Sequence, residues 1–294
     1  MARKKFLSLT AVAAAAALSL SACSPSASEG GDEGGSSNGG SGNGGSGESL
    51  TIGIKFDQPG LGFREGSNDP TGFDVDVAEY VAEEMGVDAG DIEWVQTPSA
   101  NRENALENKE VDMIFATYSI TDERKQRVSF AGPYFVAGQD LLVRADDDEI
   151  TGPDSLDGKN LCSVTGSTSA QKIKDEYASG VNLVEQGGYA ECVTYLESGQ
   201  VDAVTTDDII LAGLAGTEAN KGKFKVVGEP FTVERYGVGI NKEAETCQQI
   251  NDAIQKMKDE GAWEEALKSN TEGTGYEYDK ELNSGEDAEF ESCD

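Results

Sequence analysis

The side chains able to do chemistry in this sequence favour binding over catalysis. No histidine occurs in the 294 residues, which removes the commonest general base and the commonest neutral metal ligand. Arg124 follows the apolar run 111–116 by one loop. Its planar fork suits a carboxylate, or else pairs with neighbouring Asp122 or Glu123. Gly166, Ser167 and Thr168 sit where a strand pattern gives way to a helix pattern. Free N–H groups and the helix macrodipole suit an anion there, and Ser167 is equally a plain N-cap. Asp207 and Asp208 come just past the run 201–205, one placed to meet a cation and the other to cap a helix. Lys55 and Arg64 are two cations in the loop after the first strand. They fit an anionic group or are simply solvated.

These groups need elements to hold them. Residues 50–54 alternate and read as a strand. Val75, Val77, Ala78, Val81 and Met85 then predict a helix stopped by Gly86. A strand at 92–95, a short helix at 101–108 and the strand-like run 111–116 complete a β-α-β-α-β order. That order implies a largely parallel sheet with helices on its faces. The pattern restarts with strands at 161–164, 181–185 and 201–205 and helices at 167–177, 189–198 and 209–215. Strand-like connectors at 139–144 and 236–241 form a paired hinge if the second leads the chain back. The expected fold class is α/β: two α/β lobes on a two-strand hinge, with ligand in the cleft at the carboxyl ends of strands. The expected division is 50–140 for the first part of lobe 1, 141–235 for lobe 2, 236–270 for the return, and 271–294 for an acidic tail.

The beginning of the chain reads as an address. Arg3, Lys4 and Lys5 precede a short apolar run that ends in Leu20-Ser21-Ala22-Cys23. This is the order of a secretory signal over 1–22, and its apolar core is shorter than the about 20 residues a membrane span needs. The last four residues resemble a bacterial lipobox, in which Cys23 is lipidated and becomes the mature N-terminus. Two acyl chains anchor a protein stably to a membrane. The Gly/Ser-rich stretch to residue 49 cannot bury a core and reads as a flexible tether with a reach of about 25–30 Å. The 55 Asp plus Glu against 23 Lys plus Arg argue against nucleic acid as a partner. Four cysteines remain after Cys23, allowing two disulfides in an oxidising compartment and three connectivities. The expected pairs are Cys162–Cys192 within one lobe and Cys247–Cys293 pinning the tail to the last helix.

Five ordered blocks resemble the amino-acid substrate-binding proteins of ABC importers, which have the type II periplasmic-binding-protein fold. They are Gly72-Phe73-Asp74-Val75-Asp76-Val77-Ala78, the stretch from Val111 to Arg124, Phe130-Ala131-Gly132-Pro133-Tyr134, Gly166-Ser167-Thr168, and the stretch from Gly199 to Asp207. Lys55-Phe56-Asp57-Gln58-Pro59-Gly60 and the cysteine positions are similar to the Gram-positive glutamate/glutamine-binding lipoproteins. The resemblance implies that Arg124, with Ser167 and Thr168 from the opposite lobe, holds an α-carboxylate. It implies that Asp207 meets the ammonium, and that oxygens of Thr117 and Ser119 meet the ammonium or the carboxylate. Phe56, Phe63 and Tyr118 are candidates to flank the ligand's side chain, and Lys55 and Arg64 to meet a side-chain carboxylate.

The expected function is a lipid-anchored receptor outside the cytoplasm that binds an L-amino acid, glutamate or glutamine, and hands it to a membrane permease. It is expected to act as a monomer, without cofactor, metal or chemistry of its own. The alternatives are a cleft enzyme of the same fold, dehydratase-like, and a sensory or adhesive lipoprotein. An enzyme would need an Asp, Glu or Lys as general acid or base, and no second acidic residue is spaced for it.

Overall fold

Apolar side chains on alternate strand positions and on single helix faces assemble two separate sheets. The computed structural model describes residues 49–177 and 179–293. The signal segment, Cys23 and nearly all of the tether lie outside them. Along the chain run β1 (Leu50–Ile54), the short ribbon of β2 (Asp57–Gln58) and β3 (Gly62–Phe63), α1 (Phe73–Glu84), β4 (Ile92–Gln96), α2 (Arg102–Glu107), β5 (Met113–Ile114) and α3 (Asp122–Lys125). Next come β6 (Ser129–Ala137), β7 (Gln139–Arg144), β8 (Asn160–Val164), α4 (Thr168–Lys172), β9 (Asn182–Gln186), α5 (Tyr189–Glu197), β10 (Ala203–Asp207) and α6 (Asp208–Gly216). The last elements are β11 (Phe224–Val226), β12 (Glu234–Ile240), α7 (Cys247–Asp259) and α8 (Ala262–Thr271).

The first sheet has the order β4-β1-β5-β12-β6 and the second β11-β7-β10-β8-β9. β1 is parallel to β4 and β5, and β8 is parallel to β9 and β10. The remaining pairings are antiparallel. The chain leaves the first sheet at Gly138, between β6 and β7, and returns between β11 and β12. The crossings touch: Gln139 N–H donates to Thr232 Oγ1 at 2.9 Å, and Phe231 N–H donates to the Gln139 carbonyl at 2.9 Å. A Cβ on Gly138 would stand 2.7 Å from Pro230 Cβ, so the close passage needs glycine here.

α1 shows how the first lobe is built. Phe73, Val75, Val77, Ala78, Val81 and Ala82 are buried, and Gly86 at φ +88 ends the helix in the left-handed region. Phe73 meets Phe135 at 5.7 Å and Trp263 at 5.8 Å, edge to face, and Trp263 Nε1 donates to the Tyr134 carbonyl at 2.7 Å. α7 and α8 thereby pack on the lobe that α1 began. Both expected disulfides, Cys162–Cys192 and Cys247–Cys293, are present. Each closes a loop whose constraint is worth roughly 4 kcal/mol on the chain-entropy model. The acidic tail is packed against the body. Asn283 pairs with both the N–H and the carbonyl of Val136 at 2.8 Å, and Arg235 binds the Glu291 carboxylate at 2.6 Å.

Candidate functional site

The strand ends of the two sheets face each other across a narrow cavity of about 10 Å³. β5 leads into its first wall. Thr117 sits at φ +47, a costly conformation for a β-branched residue. Its N–H donates to Asp74 Oδ2 at 2.9 Å, and Tyr134 OH donates to Asp74 Oδ1 at 2.8 Å. Burial pushes the Asp74 carboxyl up to about 6 against the pull of these two bonds. Asp74 is thus a positioning group under the site.

Arg124 lies on α3, which Thr121 caps by accepting the Arg124 N–H at 3.2 Å. The alternative pairing with Asp122 or Glu123 is not made. Lys125 takes Asp122 at 3.1 Å, and Arg124 Nε faces Glu103 at 3.4 Å. Arg124 Nη1 donates to the Ser119 carbonyl at 2.6 Å, and Nη2 crosses to the Gly166 carbonyl at 3.1 Å. Ser119 Oγ lies 3.3 Å from Thr168 Oγ1, a second link between the lobes. Ser167 caps α4 by accepting the Ala170 N–H at 3.0 Å and also lines the cavity.

The adjacent acids at the end of β10 separate cleanly. Asp207 lines the cavity and is 3% exposed. Its Oδ2 accepts from Tyr236 OH at 2.6 Å, while its Oδ1 has no partner among the described residues. Burial, then the charge of Glu234, holds its carboxyl well above the usual range. Asp208 turns to the hinge, where its Oδ1 accepts from Tyr276 OH at 3.2 Å.

The structure redistributes the other expected contacts. Tyr118 is fully buried and sits beneath the cleft rather than along it. Its ring is a shelf 4.9 Å from the guanidinium carbons of both Arg102 and Arg124, and its hydroxyl donates to Glu103 at 2.7 Å. Phe63, Phe56, Arg64 and Lys55 are outside the cavity lining. Arg64 is tied to the Asn68 carbonyl at 2.7 Å and stacks on Phe56 at 4.9 Å. Phe63 is 37% exposed. Lys55 is 2% exposed, lies 3.2 Å from Asp57 and approaches the Tyr189 ring at 5.7 Å.

Sequence reasoning passes over six lining residues, Gln58, Ser99, Arg102, Ser169, Tyr189 and Ile210. Arg102 is 3% exposed, its Nε has no partner, and no carboxylate pairs with it among the described residues. Burial, then the charge of Arg124, lowers its pKa. The signal for it is a charge on the buried face of α2, in register with Ala105 and Leu106. The cavity therefore presents Arg102 and one Asp207 oxygen unpaired, with Arg124, Thr117, Ser119 and Thr168 around them.

A family model described as bacterial extracellular solute-binding proteins, family 3, matches residues 50–272. The chain belongs to this family. The solute-binding protein is 47% identical over 272 residues to the glutamate-binding protein GluB of Corynebacterium efficiens, covering 89% of this chain and 88% of the other. It is 34% identical over 268 residues to the ABC transporter glutamine-binding protein GlnH of Bacillus subtilis, covering 90% and 96%. Its fold matches the solved structure of an ancestral arginine-binding protein bound to glutamine, with a TM-score of 0.69 and 33% identity over 75% of this chain and 96% of that one. As a family member it is an extracytoplasmic amino-acid receptor of the type II periplasmic-binding-protein fold.

Proposed function

We propose that this solute-binding protein takes L-glutamate between its lobes and passes it to an ABC permease, and that it does no chemistry of its own. In this reading Arg124, with Ser119 and Thr168, receives the α-carboxylate. The free oxygen of Asp207 and groups on Thr117 receive the ammonium. The observation that carries the choice of glutamate is the buried, unpaired Arg102. A buried charge needs a charged, hydrogen-bonded partner. A side-chain carboxylate supplies one, whereas an amide offers a weaker neutral acceptor. Hydrogen bonds to charged groups are worth about 1.5–3 kcal/mol against roughly 1 for neutral ones. Lys55 adds a second cation near Arg102; burial first, and then the charge of Arg102, lower the Lys55 pKa against the pull of Asp57. The 47% identity to a protein named for glutamate supports the same choice.

Titration calorimetry on the body without its tether tests the ligand. Glutamate is expected to bind at least about tenfold tighter than glutamine. Tighter glutamine, or no amino acid bound, rejects the reading. We further propose that lipid on Cys23 holds the receptor at the outer face of the membrane as a monomer. Cys23→Ser should release it into the medium; a variant that stays with the membrane fraction argues against the anchor.

A further inference from the structure

Helix α5 of the second lobe has no cap of its own. Its N-cap residue is Gly188, which has no side chain to accept the free N–H groups of the first turn. The cap comes from the other lobe. Asp57, on the β2–β3 ribbon, accepts the Tyr189 N–H through Oδ2 at 2.8 Å. Its other oxygen, Oδ1, lies 3.2 Å from Lys55 Nζ. One carboxylate thus has a partner in each lobe, and one of those partners is a buried cation beside the cavity.

The fit depends on glycine. A Cβ at Gly188 would stand 2.5 Å from Asp57 Oδ2. The same ribbon seats a second time, where a Cβ at Gly213 of α6 would stand 2.1 Å from the Pro59 carbonyl oxygen. Two helices of the second lobe therefore carry notches that receive backbone and side chain of the first. The Asp57–Tyr189 bond exists only while the lobes meet; on opening, both groups return to water.

We infer that Asp57 is a clasp that holds the lobes together while positioning Lys55, so that it governs how long a ligand is retained. This rests on the proposal that the chain closes on an amino acid, and goes beyond it by assigning the release step to a residue outside the cavity lining. An acid at a helix start gains from the macrodipole as well as from the hydrogen bond. Its loss should act mainly on dissociation, because contacts made after encounter set the off-rate.

Stopped-flow release of glutamate from the lipid-free chain tests the clasp with two variants. Asp57→Ala removes the carboxylate. Gly188→Ser leaves Asp57 and Lys55 intact but supplies a local cap that blocks the notch. Both should speed dissociation about tenfold or more while association changes less than about threefold. Ligand-free melting of Gly188→Ser, which keeps the Lys55–Asp57 pair, should stay near that of the parent. Unchanged dissociation in both variants overturns the clasp, as does a fall in ligand-free melting of Gly188→Ser that accounts for the faster release. Spin labels at exposed Glu83 and Lys221, one per lobe, give a readout that needs no ligand. The variants should shift the interlobe distances toward the open state, and identical distributions also overturn the clasp. A parent chain that binds no amino acid would instead strike the functional reading, and the label distances would still decide the clasp.

Discussion

Asp74 holds Thr117 in the left-handed region, accepting its N–H at 2.9 Å from a position 43 residues earlier in the chain. The bond fixes the turn from which Thr117 and Ser119 reach the cavity. Asp74→Ala leaves the Thr117 N–H and the Tyr134 hydroxyl without a buried acceptor. It should cost about 2–5 kcal/mol of stability, read by urea denaturation.

The same carboxyl makes a pH prediction. Its folded pKa, raised to about 6 by burial, lies above the roughly 3.9 of an unfolded aspartate. The folded state therefore binds more protons between these values, and its contribution to stability falls as pH rises from about 4 to about 6, then levels. The unfolding free energy of the parent relative to that of Asp74→Asn should fall by on the order of 2–3 kcal/mol from pH 4 to pH 7. A gap that does not change with pH excludes this titration.

Arg102 should separate side-chain recognition from recognition of the amino-acid backbone. Arg102→Gln should weaken glutamate by about tenfold or more and glutamine by much less, measured by calorimetry. Equal losses would mean that Arg102 serves the general site, or only supports Tyr118.

Asp207 should trade stability against binding. One of its oxygens is buried without a partner, and burial opposes its charge. Asp207→Asn should raise ligand-free stability by about 1–3 kcal/mol and abolish the thermal shift given by glutamate. Retained binding would remove Asp207 from the ammonium site.

Cys293→Ser frees the tail from α7. It should lower stability by about 2–4 kcal/mol, measured by thermal unfolding without reductant. No loss would mean that the Asn283 and Arg235 contacts hold the tail unaided.

The fold was legible because its signals are local. Alternation, helix faces and stop residues such as Gly86 announce each element, and the restart after residue 160 announces a second lobe. Arg124 and Asp207 were legible as charges just past strand ends. Whether Asp207 or Asp208 entered the cavity was not, since identical side chains at adjacent positions are told apart only by which way the chain turns at the end of β10. Arg102 escaped because arginine is usually exposed, and its meaning comes from the buried face of a six-residue helix. Lys55 and Arg64 read alike in sequence. Asp57 lies beside the first, the Asn68 carbonyl ties the second outside the cavity, and neither partner is marked by any pattern. The left-handed Thr117 could not be foreseen, because the residue type disfavours it and its support comes from distant Asp74.

The shared ring of Tyr118 has a consequence for how such a site can change. Its faces carry the arginine proposed for every amino acid and the arginine proposed for one side chain, and its hydroxyl reaches Glu103, which also faces Arg124. The two recognitions stand on a common footing. A substitution that tilts the ring to suit a new side chain disturbs the grip on the α-carboxylate as well. Divergence of ligand preference in this chain is therefore easier through residues that meet the cavity without touching that ring, such as Gln58, than through the ring's own neighbours.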